Sequence, residues 1–428
     1  MGRIDQYIAG RVPTATFTPP WTLLALIVPK FVISSYVAVT LLFGWRQAGA
    51  SGTVLSGLIA VGTAPMLLSV FLAPLVDATM GPRRWWMIGV LCSLAALAGL
   101  IALPFEPATL TVIGILVFAA YFGGYVSLLA IDVVITATVA ADRKGTANSW
   151  LMVGKSLGMA IGGGGGLWLA GHGVTHAVAL VLIVALAAVC GLSLSALGTD
   201  AREVTRKDVF GSIRFTLAEL WSFGRTLTGL RLLAFCMLPI GLGTATELWT
   251  IFADHWHAGR DTIALLQGGP VEVATVLGIV LGGPLGDRAG PLRTFFALAA
   301  LNDVLVIVIA VAPGLPNVLL VGALAYAFLF GATQIVSMTV MLAMIGDQGG
   351  ASKLSVSYLV LNIPVMLVMA VNGPVGDQYG MPMVLIVEAA LTVVSLIVAW
   401  FIFRKRAGND RAAGGEQAGL GSSLVPNM

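Results

Sequence analysis

Charged side chains inside apolar stretches are the residues of this sequence whose chemistry stands out. Four of them lie deep within long apolar runs: Lys30, Asp132, Lys155 and Glu272. A charge at the centre of a membrane-spanning helix costs about 2.5–3.5 kcal/mol unless it faces water or a partner. A buried ammonium attracts anions, and a buried carboxyl group can take up and release a proton. We therefore predict that Lys30 and Lys155 bind an anionic group and that Asp132 or Glu272 exchanges a proton.

A purely structural interpretation of these charges is also open. Asp132 would then form a static salt bridge with Lys30 or Lys155 and hold helices together. Three further acids are weaker candidates because they are expected near helix ends or on a peripheral helix: Glu247, Glu388 and Asp303.

The composition shows which elements must position these side chains. Hydrophobic residues make up 58% of the chain and charged residues 10%, with a mean hydropathy of +0.96. A water-soluble globule does not tolerate this balance. Segments of roughly 20 mostly apolar residues can each span a bilayer. Twelve are found, near 21–43, 54–75, 85–104, 109–139, 147–170, 174–197, 231–253, 262–284, 292–312, 316–345, 355–375 and 382–403. The prediction is an all-α membrane protein with twelve transmembrane helices.

The positive charges predict the orientation of these helices. With the N-terminus in the cytoplasm, nearly all of the 23 Lys and Arg residues fall on the cytoplasmic side, and only Arg46 and Arg260 fall on the other. This asymmetry is typical of cytoplasmic loops, so both termini are expected in the cytoplasm. The polar segment Met1–Pro20 lacks the features of a cleavable signal, and the first helix is expected to be retained.

One charged interruption divides the apolar pattern into six helices and six. The predicted organisation is a cytoplasmic N-terminal segment (1–20), a six-helix bundle (21–197), a cytoplasmic linker (198–230), a second six-helix bundle (231–407) and a disordered cytoplasmic tail (408–428). Within the linker, Val209–Phe223 has either the pattern of an amphipathic surface helix or that of an irregular charged loop.

Two turns repeat between the halves. PLVDATMGPRR follows the second helix at Pro74–Arg84, and PLGDRAGPLR follows the eighth at Pro284–Arg293. In each turn an acid can pair with arginines and act as a breakable latch. The candidate gate residues are Asp77, Arg83, Arg84, Asp287, Arg288 and Arg293. Gly81 is expected to permit a sharp reversal there, and Pro82 to begin the next helix.

A further echo lies within the second half. GPLGDRAG at Gly283–Gly290 recurs as GPVGDQYG at Gly373–Gly380, three helices later and without nearby Lys or Arg. The two copies must lie at opposite faces of the membrane, which predicts inverted three-helix repeats in each bundle.

Glycines recur every four residues in the fifth helix, at Gly154, Gly158 and Gly162. The run has no preceding strand and no Lys-Ser or Lys-Thr after it, so it is not a nucleotide-binding loop. We predict a surface on which two helices approach closely. The three cysteines, Cys92, Cys190 and Cys236, fall inside spans and are expected to be core residues, without a metal site or other cofactor.

The turn at Pro74–Arg84 resembles the signature loop between the second and third helices of the major facilitator superfamily. The run Ala130–Gly165 and APLVDA at Ala73–Ala78 resemble a narrower group, the AmpG muropeptide permeases with the acetyl-CoA transporters and siderophore permeases. The matching positions in the longer run are Asp132, Gly145, Asn148, Gly154, Gly158 and Gly162–Gly164.

The sequence also departs from that group. Leu128 stands where the group often has a first acid, and Ile135 stands where it often has an arginine, so Asp132 is alone. Lys144 replaces a loop arginine, and Lys155 stands where an aromatic residue is common. The polar groups of the cavity therefore differ from those of the muropeptide permeases.

The resemblance implies the major facilitator fold and alternating access, with the gate residues latching the cytoplasmic side. It also implies a proton-coupled permease that imports an amphiphilic, anionic solute such as a muropeptide or siderophore. An efflux antiporter of the same fold is the alternative, whereas a channel or intramembrane enzyme lacks its motifs here. The expected partners are a small-molecule solute, protons and the lipid bilayer. A monomer in the bacterial inner membrane, with no nucleic acid partner, is expected.

Overall fold

The structure is a computed structural model of the chain. It describes residues 19–68, 72, 75–76, 79–139, 144–196, 218, 221–222, 224–240, 244–345 and 350–413. Asp77, nearly all of Val209–Phe223 and the side chains of Asn148 and Glu247 lie outside this description, as do most of the predicted N-terminal segment and tail. The predictions made for these parts of the chain remain predictions.

The described residues form helices throughout, and several of the helices contain an irregular turn. The first six are α1 (Pro20–Ser35, a π-helical turn at Tyr36–Leu41, then Leu42–Gln47), α2 (Gly52–Thr63, then a 3-10 turn at Ala64–Leu68), α3 (Pro82–Ala102), α4 (Leu110–Thr138), α5 (Lys144–Met159, a π-helical turn at Ala160–Gly165, then Gly166–Gly171) and α6 (His176–Leu192, then a 3-10 turn at Ser193–Ala196). These six are called the N-terminal bundle.

The second six are called the C-terminal bundle. They are α7 (Leu227–Met237 and Thr244–Ile251), α8 (Arg260–Gln267 and Pro270–Ala289), α9 (Pro291–Val311), α10 (Pro316–Ile345), α11 (Gly350–Tyr379) and α12 (Met381–Ala413). Each of the twelve predicted spans overlaps one of the twelve helices. Nine helical stretches among the described residues are long and apolar enough to cross a membrane, and Gly52–Leu68 and Leu227–Met237 are shorter apolar helices.

Two local expectations differ from the structure. Helix α12 continues to Ala413, whereas the sequence predicted a disordered tail from Gly408. The added residues include Ala and Arg, which favour helix, and basic residues near a helix C-terminus interact well with its dipole. Pro82 does begin α3, but Gly81 has an ordinary φ of −62°. The glycine that needs a left-handed conformation is Gly290, with φ +88°, between α8 and α9.

The glycines of α5 form the predicted packing surface, and α1 lies on it. A Cβ at Gly154 would lie 2.6 Å from Ile27 Cγ2, and one at Gly158 would lie 2.7 Å from Phe31 Cβ. One at Gly162 would overlap the backbone of Val32. Side chains shorter than these distances require are available only in glycine, so the close approach depends on all three positions.

Hydroxyl groups of α1 bond to α5 where both helices are irregular. Thr40 Oγ1 donates to the carbonyl oxygens of Gly162 (3.0 Å) and Gly163 (3.2 Å), and Ser35 Oγ donates to that of Met159 (2.9 Å). A π-helical turn changes the regular backbone bonding pattern and is often found at functional sites. These bonds satisfy backbone groups of α5 in a region without water.

We expect Gly158→Ala to destabilise the protein by about 1–3 kcal/mol, because the new methyl group overlaps atoms of α1 that cannot turn away. The matched control is Gly114→Ala in α4, where an added Cβ meets no atom within 4 Å. There the better helix propensity of Ala is expected to raise stability by up to about 1 kcal/mol. Thermal unfolding of both variants in detergent measures the difference. Equal melting temperatures would contradict the close α1–α5 contact.

Candidate transport cavity and the contacts that close one end

Lys30 lies in the middle of α1, and its side chain is only 8% exposed. Its ammonium sits 4.7 Å from the ring centre of Phe31 and 4.5 Å from that of Tyr125 on α4. Gly124 leaves room for the lysine stem, since a Cβ there would lie 3.1 Å from Lys30 Cγ. The rings stabilise the buried cation through their faces. Lys30 is therefore held by α4 in a largely aromatic environment.

Two of the other predicted site residues are close to Lys30. Asp132 on α4 and Lys155 on α5 both lie near enough for their charges to act on the Lys30 ammonium. The Lys155 ammonium is 5.9 Å from the Phe31 ring centre, so both lysines contact the same ring. Lys155 is half-buried, whereas Asp132 is exposed. The structure thus brings together three of the four predicted residues, all from the N-terminal bundle.

Glu272, the fourth predicted residue, belongs to the C-terminal bundle and reaches across to the first. It lies in the first turn of the longer part of α8, and its Oε2 accepts a hydrogen bond of 3.0 Å from Ser156 Oγ on α5. Ser156 follows Lys155 directly. Glu272 therefore sits at the same level of the N-terminal bundle as the lysines and links the two bundles there.

The bundles are in tight contact at the end of the molecule where α1 ends and α2 begins, here called the Arg46 end. Helix α2 packs on α11 through glycines on both sides. A Cβ at Gly373 would lie 2.8 Å from Thr53 Cα, and one at Gly376 would overlap the ring of Phe252. On the other side of the interface, Gly164 of α5 packs directly on Gly268 of α8.

Asp377 of α11 caps the N-terminus of α2. Its Oδ1 accepts from the backbone N–H of Gly52 (2.6 Å), and its Oδ2 accepts from the backbone N–H (2.7 Å) and hydroxyl (2.7 Å) of Thr53. Arg46 Nη1 lies 3.6 Å from Oδ1. The first N–H groups of a helix have no partner within it, and the dipole favours an anion there. A carboxylate of one bundle thus completes a helix of the other.

Further polar contacts surround this cap. Arg46 Nε lies 3.9 Å from Asp254 Oδ2, and the Arg46 guanidinium lies 5.4 Å from the Phe252 ring centre. Arg260 at the start of α8 donates to the carbonyl oxygen of Ala170 on α5 at 3.3 Å. Within the described residues, the hydrogen bonds and ion pairs that join the bundles all lie between the Arg46 end and the level of Glu272.

The predicted gate residues lie at the opposite end. Asp287 and Arg288 are in the last turn of α8, Arg293 follows in α9, and all three are exposed. Arg83 is half-buried and Arg84 exposed in the first turn of α3, while Asp77 lies outside the described residues. The latch at this end stays a prediction.

The sequence analysis missed the role of Arg46 and Asp377. Arg46 was used only to predict orientation, and Asp377 only as a repeated residue. The repeat was itself the signal, because Asp377 is the counterpart of Asp287 at the other face of the membrane. An inverted repeat of a latch residue predicts a latch at both ends.

No protein-family profile matches the sequence, and no curated protein is significantly similar to it. Solved structures do share its fold. The nucleoside transporter NupG superposes with a TM-score of 0.69 at 13% identity, over 90% of this chain and 98% of that one. A POT family transporter in complex with a thioalcohol-conjugated peptide gives 0.69 at 11% identity, over 90% and 96%. Another, in complex with 5-aminolevulinic acid, gives 0.69 at 12% identity over the same shares.

These neighbours establish the architecture. The chain is an all-α membrane protein with the major facilitator fold of transporters, as the sequence predicted. At 11–13% identity the likeness extends to the fold alone. The narrower resemblance to muropeptide and siderophore permeases therefore stays a prediction.

Proposed function

We propose that this protein is a secondary transporter that carries an anionic, amphiphilic solute by alternating access, coupled to protons. The observation that supports it most is the buried ammonium of Lys30, with the charges of Lys155 and Asp132 beside it, in a fold shared with membrane transporters. A buried charge of this kind is costly and is a functional candidate by default.

The net charge of this group favours an anionic solute. Two ammonium groups face one carboxylate within interaction range, so one positive charge is left over. A carboxylate or phosphate on the solute would neutralise it, and the rings of Phe31 and Tyr125 would contact an apolar part of the same molecule. The fold accommodates a small carboxylic acid in a neighbour solved with 5-aminolevulinic acid. Muropeptides and siderophores meet the same description.

Asp132 is the proposed proton carrier. Without solute its carboxylate partly neutralises Lys30. When a solute anion takes over the lysines, the Asp132 charge becomes unfavourable beside it, and uptake of a proton by Asp132 removes that repulsion. Anion and proton then bind together and leave together, which is the behaviour of a symporter. Glu272 is the second candidate, because it lies at the same level on the opposing bundle.

Alternating access follows from the two ends. In the predicted orientation the Arg46 end faces the outside, so this structure has its outer side closed, with the Asp377 cap as the closing contact. The latch predicted from Asp77 and Asp287 would close the cytoplasmic side in the other state. Location in the bacterial inner membrane, cytoplasmic termini and a monomeric state complete the proposal.

Uptake by right-side-out vesicles, with and without an imposed pH gradient, tests the coupling. The panel contains anhydromuropeptides, ferric siderophores and acyl-CoA. We expect one solute to accumulate only with the gradient, and Asp132→Asn to keep solute exchange while losing accumulation. The matched control is Asp261→Asn, which removes an exposed acid at the start of α8.

Other outcomes would change the proposal. If Asp132→Asn accumulates solute like the wild type, Asp132 is structural and Glu272→Gln becomes the next variant. If a solute leaves the vesicles against its gradient when protons enter, the protein is an efflux antiporter of the same fold.

A further inference from the structure

Two buried carboxyl groups of the C-terminal bundle have no part in the proposed cavity. Asp303 on α9 is 6% exposed and Glu388 on α12 is 8% exposed. The sequence analysis ranked both as weaker candidates because it placed them at a periphery and a helix end. The structure instead buries them, on neighbouring helices and near enough for their charges to interact. They are called the carboxyl pair below.

The hydrogen bonds around the carboxyl pair are uneven. Tyr326 on α10 donates to Glu388 Oε1 at 2.7 Å. Asp303 Oδ2 is buried, and no described residue donates a hydrogen bond to it. An ionised carboxylate with an unsatisfied oxygen is costly in a medium without water, and a second negative charge beside it adds to the cost. A proton on one of the two groups removes both penalties.

We propose that Asp303 and Glu388 hold one proton between them and form a proton-binding site in the C-terminal bundle, separate from Asp132. Two carboxyl groups that share a site retain a proton because both cannot ionise at once. The helices against α9 supply the other groups of this environment. Within the described residues, α10 contributes Tyr326, whereas Glu272 of α8 bonds to Ser156 instead, and Asp287 and Arg288 lie at its far end.

Aromatic contacts connect this site to the Arg46 end. The Tyr326 ring lies edge-on to Trp249 of α7, with ring centres 5.9 Å apart, and Trp249 contacts Trp256 at 5.3 Å. Phe252, one turn after Trp249, fills the contact between Gly52 and Gly376. The proton therefore sits next to the side chains that form the closed end. Its occupancy is expected to favour closure, a step that rests on the proposed transport cycle.

Infrared difference spectroscopy of the purified protein tests the site without any transport assay. We expect a protonated-carboxyl band at about pH 7 that disappears towards about pH 9 and shifts in heavy water. The double variant Asp303→Asn/Glu388→Gln should lose it. The control Glu106→Gln/Asp261→Asn removes as many carboxyl groups, both exposed, and should keep it. An identical band in the two double variants, or none in the wild type, would overturn the proposal.

Two further measurements cover a misfolded variant and a different cation. Tyr326→Phe retains both carboxyl groups and should keep the band, while the pH response of tryptophan fluorescence from Trp249 and Trp256 is expected to weaken. An unchanged fluorescence response would overturn the link to the closed end, whatever the transport assays show. Loss of the band on replacing potassium by sodium would identify a sodium site and overturn the proton site.

Discussion

Replacing Asp377 by Asn is expected to open the Arg46 end. The wild-type carboxylate accepts three hydrogen bonds from the start of α2 and faces Arg46. An amide of the same shape offers one acceptor oxygen, and its NH2 group must face a backbone N–H. Hydrogen bonds to charged groups contribute about 1.5–3 kcal/mol, and a quarter of this side chain is exposed, so the lower end applies. The population should shift about tenfold towards the open state.

Spin-label distances across the Arg46 end measure this shift. One label is placed at Ala108 in the turn between α3 and α4, and the other at Leu315 before α10, both exposed. The background variant lacks the three cysteines, which are all free in the structure: Cys92, Cys190 and Cys236. The distance distribution of Asp377→Asn should move to longer values than that of the background.

Asp254→Asn is the matched control for this experiment. Asp254 contacts the same arginine, but its nearest Arg46 distance is 3.9 Å, its side chain is 80% exposed, and it caps no helix of the other bundle. Exposed ion pairs contribute about 0–1 kcal/mol, so its distance distribution should stay near that of the background. If both variants behave alike, the cap on α2 does not hold this end closed.

Lys30→Met is expected to abolish transport and to stabilise the protein. Met has nearly the shape of Lys and packs well against Phe31 and Tyr125, so the fold survives. Removing the buried charge recovers part of its burial cost of about 2.5–3.5 kcal/mol, and the melting temperature should rise. Loss of the charged contact to the solute should lower the specific transport rate at least about 100-fold, as for a lost charge-assisted bond of about 3 kcal/mol.

Lys155→Met provides the comparison for Lys30. Lys155 is half-buried and lies farther from the shared ring, so we expect a weaker solute affinity with a maximal rate nearer the wild type. Transport rates in reconstituted vesicles, together with thermal unfolding, separate these effects. A variant Lys30→Met that transports normally would remove Lys30 from the solute site, and one that unfolds more readily would assign it to packing.

The helices and the α5 packing surface were predictable because they depend on local properties. Apolar runs determine the spans, and the four-residue spacing of Gly154, Gly158 and Gly162 determines a helix face. The grouping of Lys30 with Lys155 and Asp132 also followed, since charges in apolar spans have few places to go. The irregular turn in α1 carries no such signal, because Tyr36–Leu41 reads as an ordinary apolar stretch.

The contacts that join distant parts of the chain were not predictable in the same way. Whether Asp377 reaches Gly52 depends on how two bundles meet, and no periodicity records that. Asp303 was misjudged for a similar reason. A helix at the periphery of a bundle still buries one face against its neighbours, and only the rotation of α9 decides which residues lie on it.

Counterflow in vesicles reconstituted with the purified protein tests the central proposal most directly. The vesicles are loaded with each unlabelled anionic solute of the panel in turn and diluted into a trace of the same solute with a label. A carrier exchanges the two, so the wild type should accumulate label transiently above equilibrium for one solute, and Lys30→Met should not. If no anionic solute gives this overshoot in the wild type, or if Lys30→Met gives it equally, the proposed anion transport through this site is wrong.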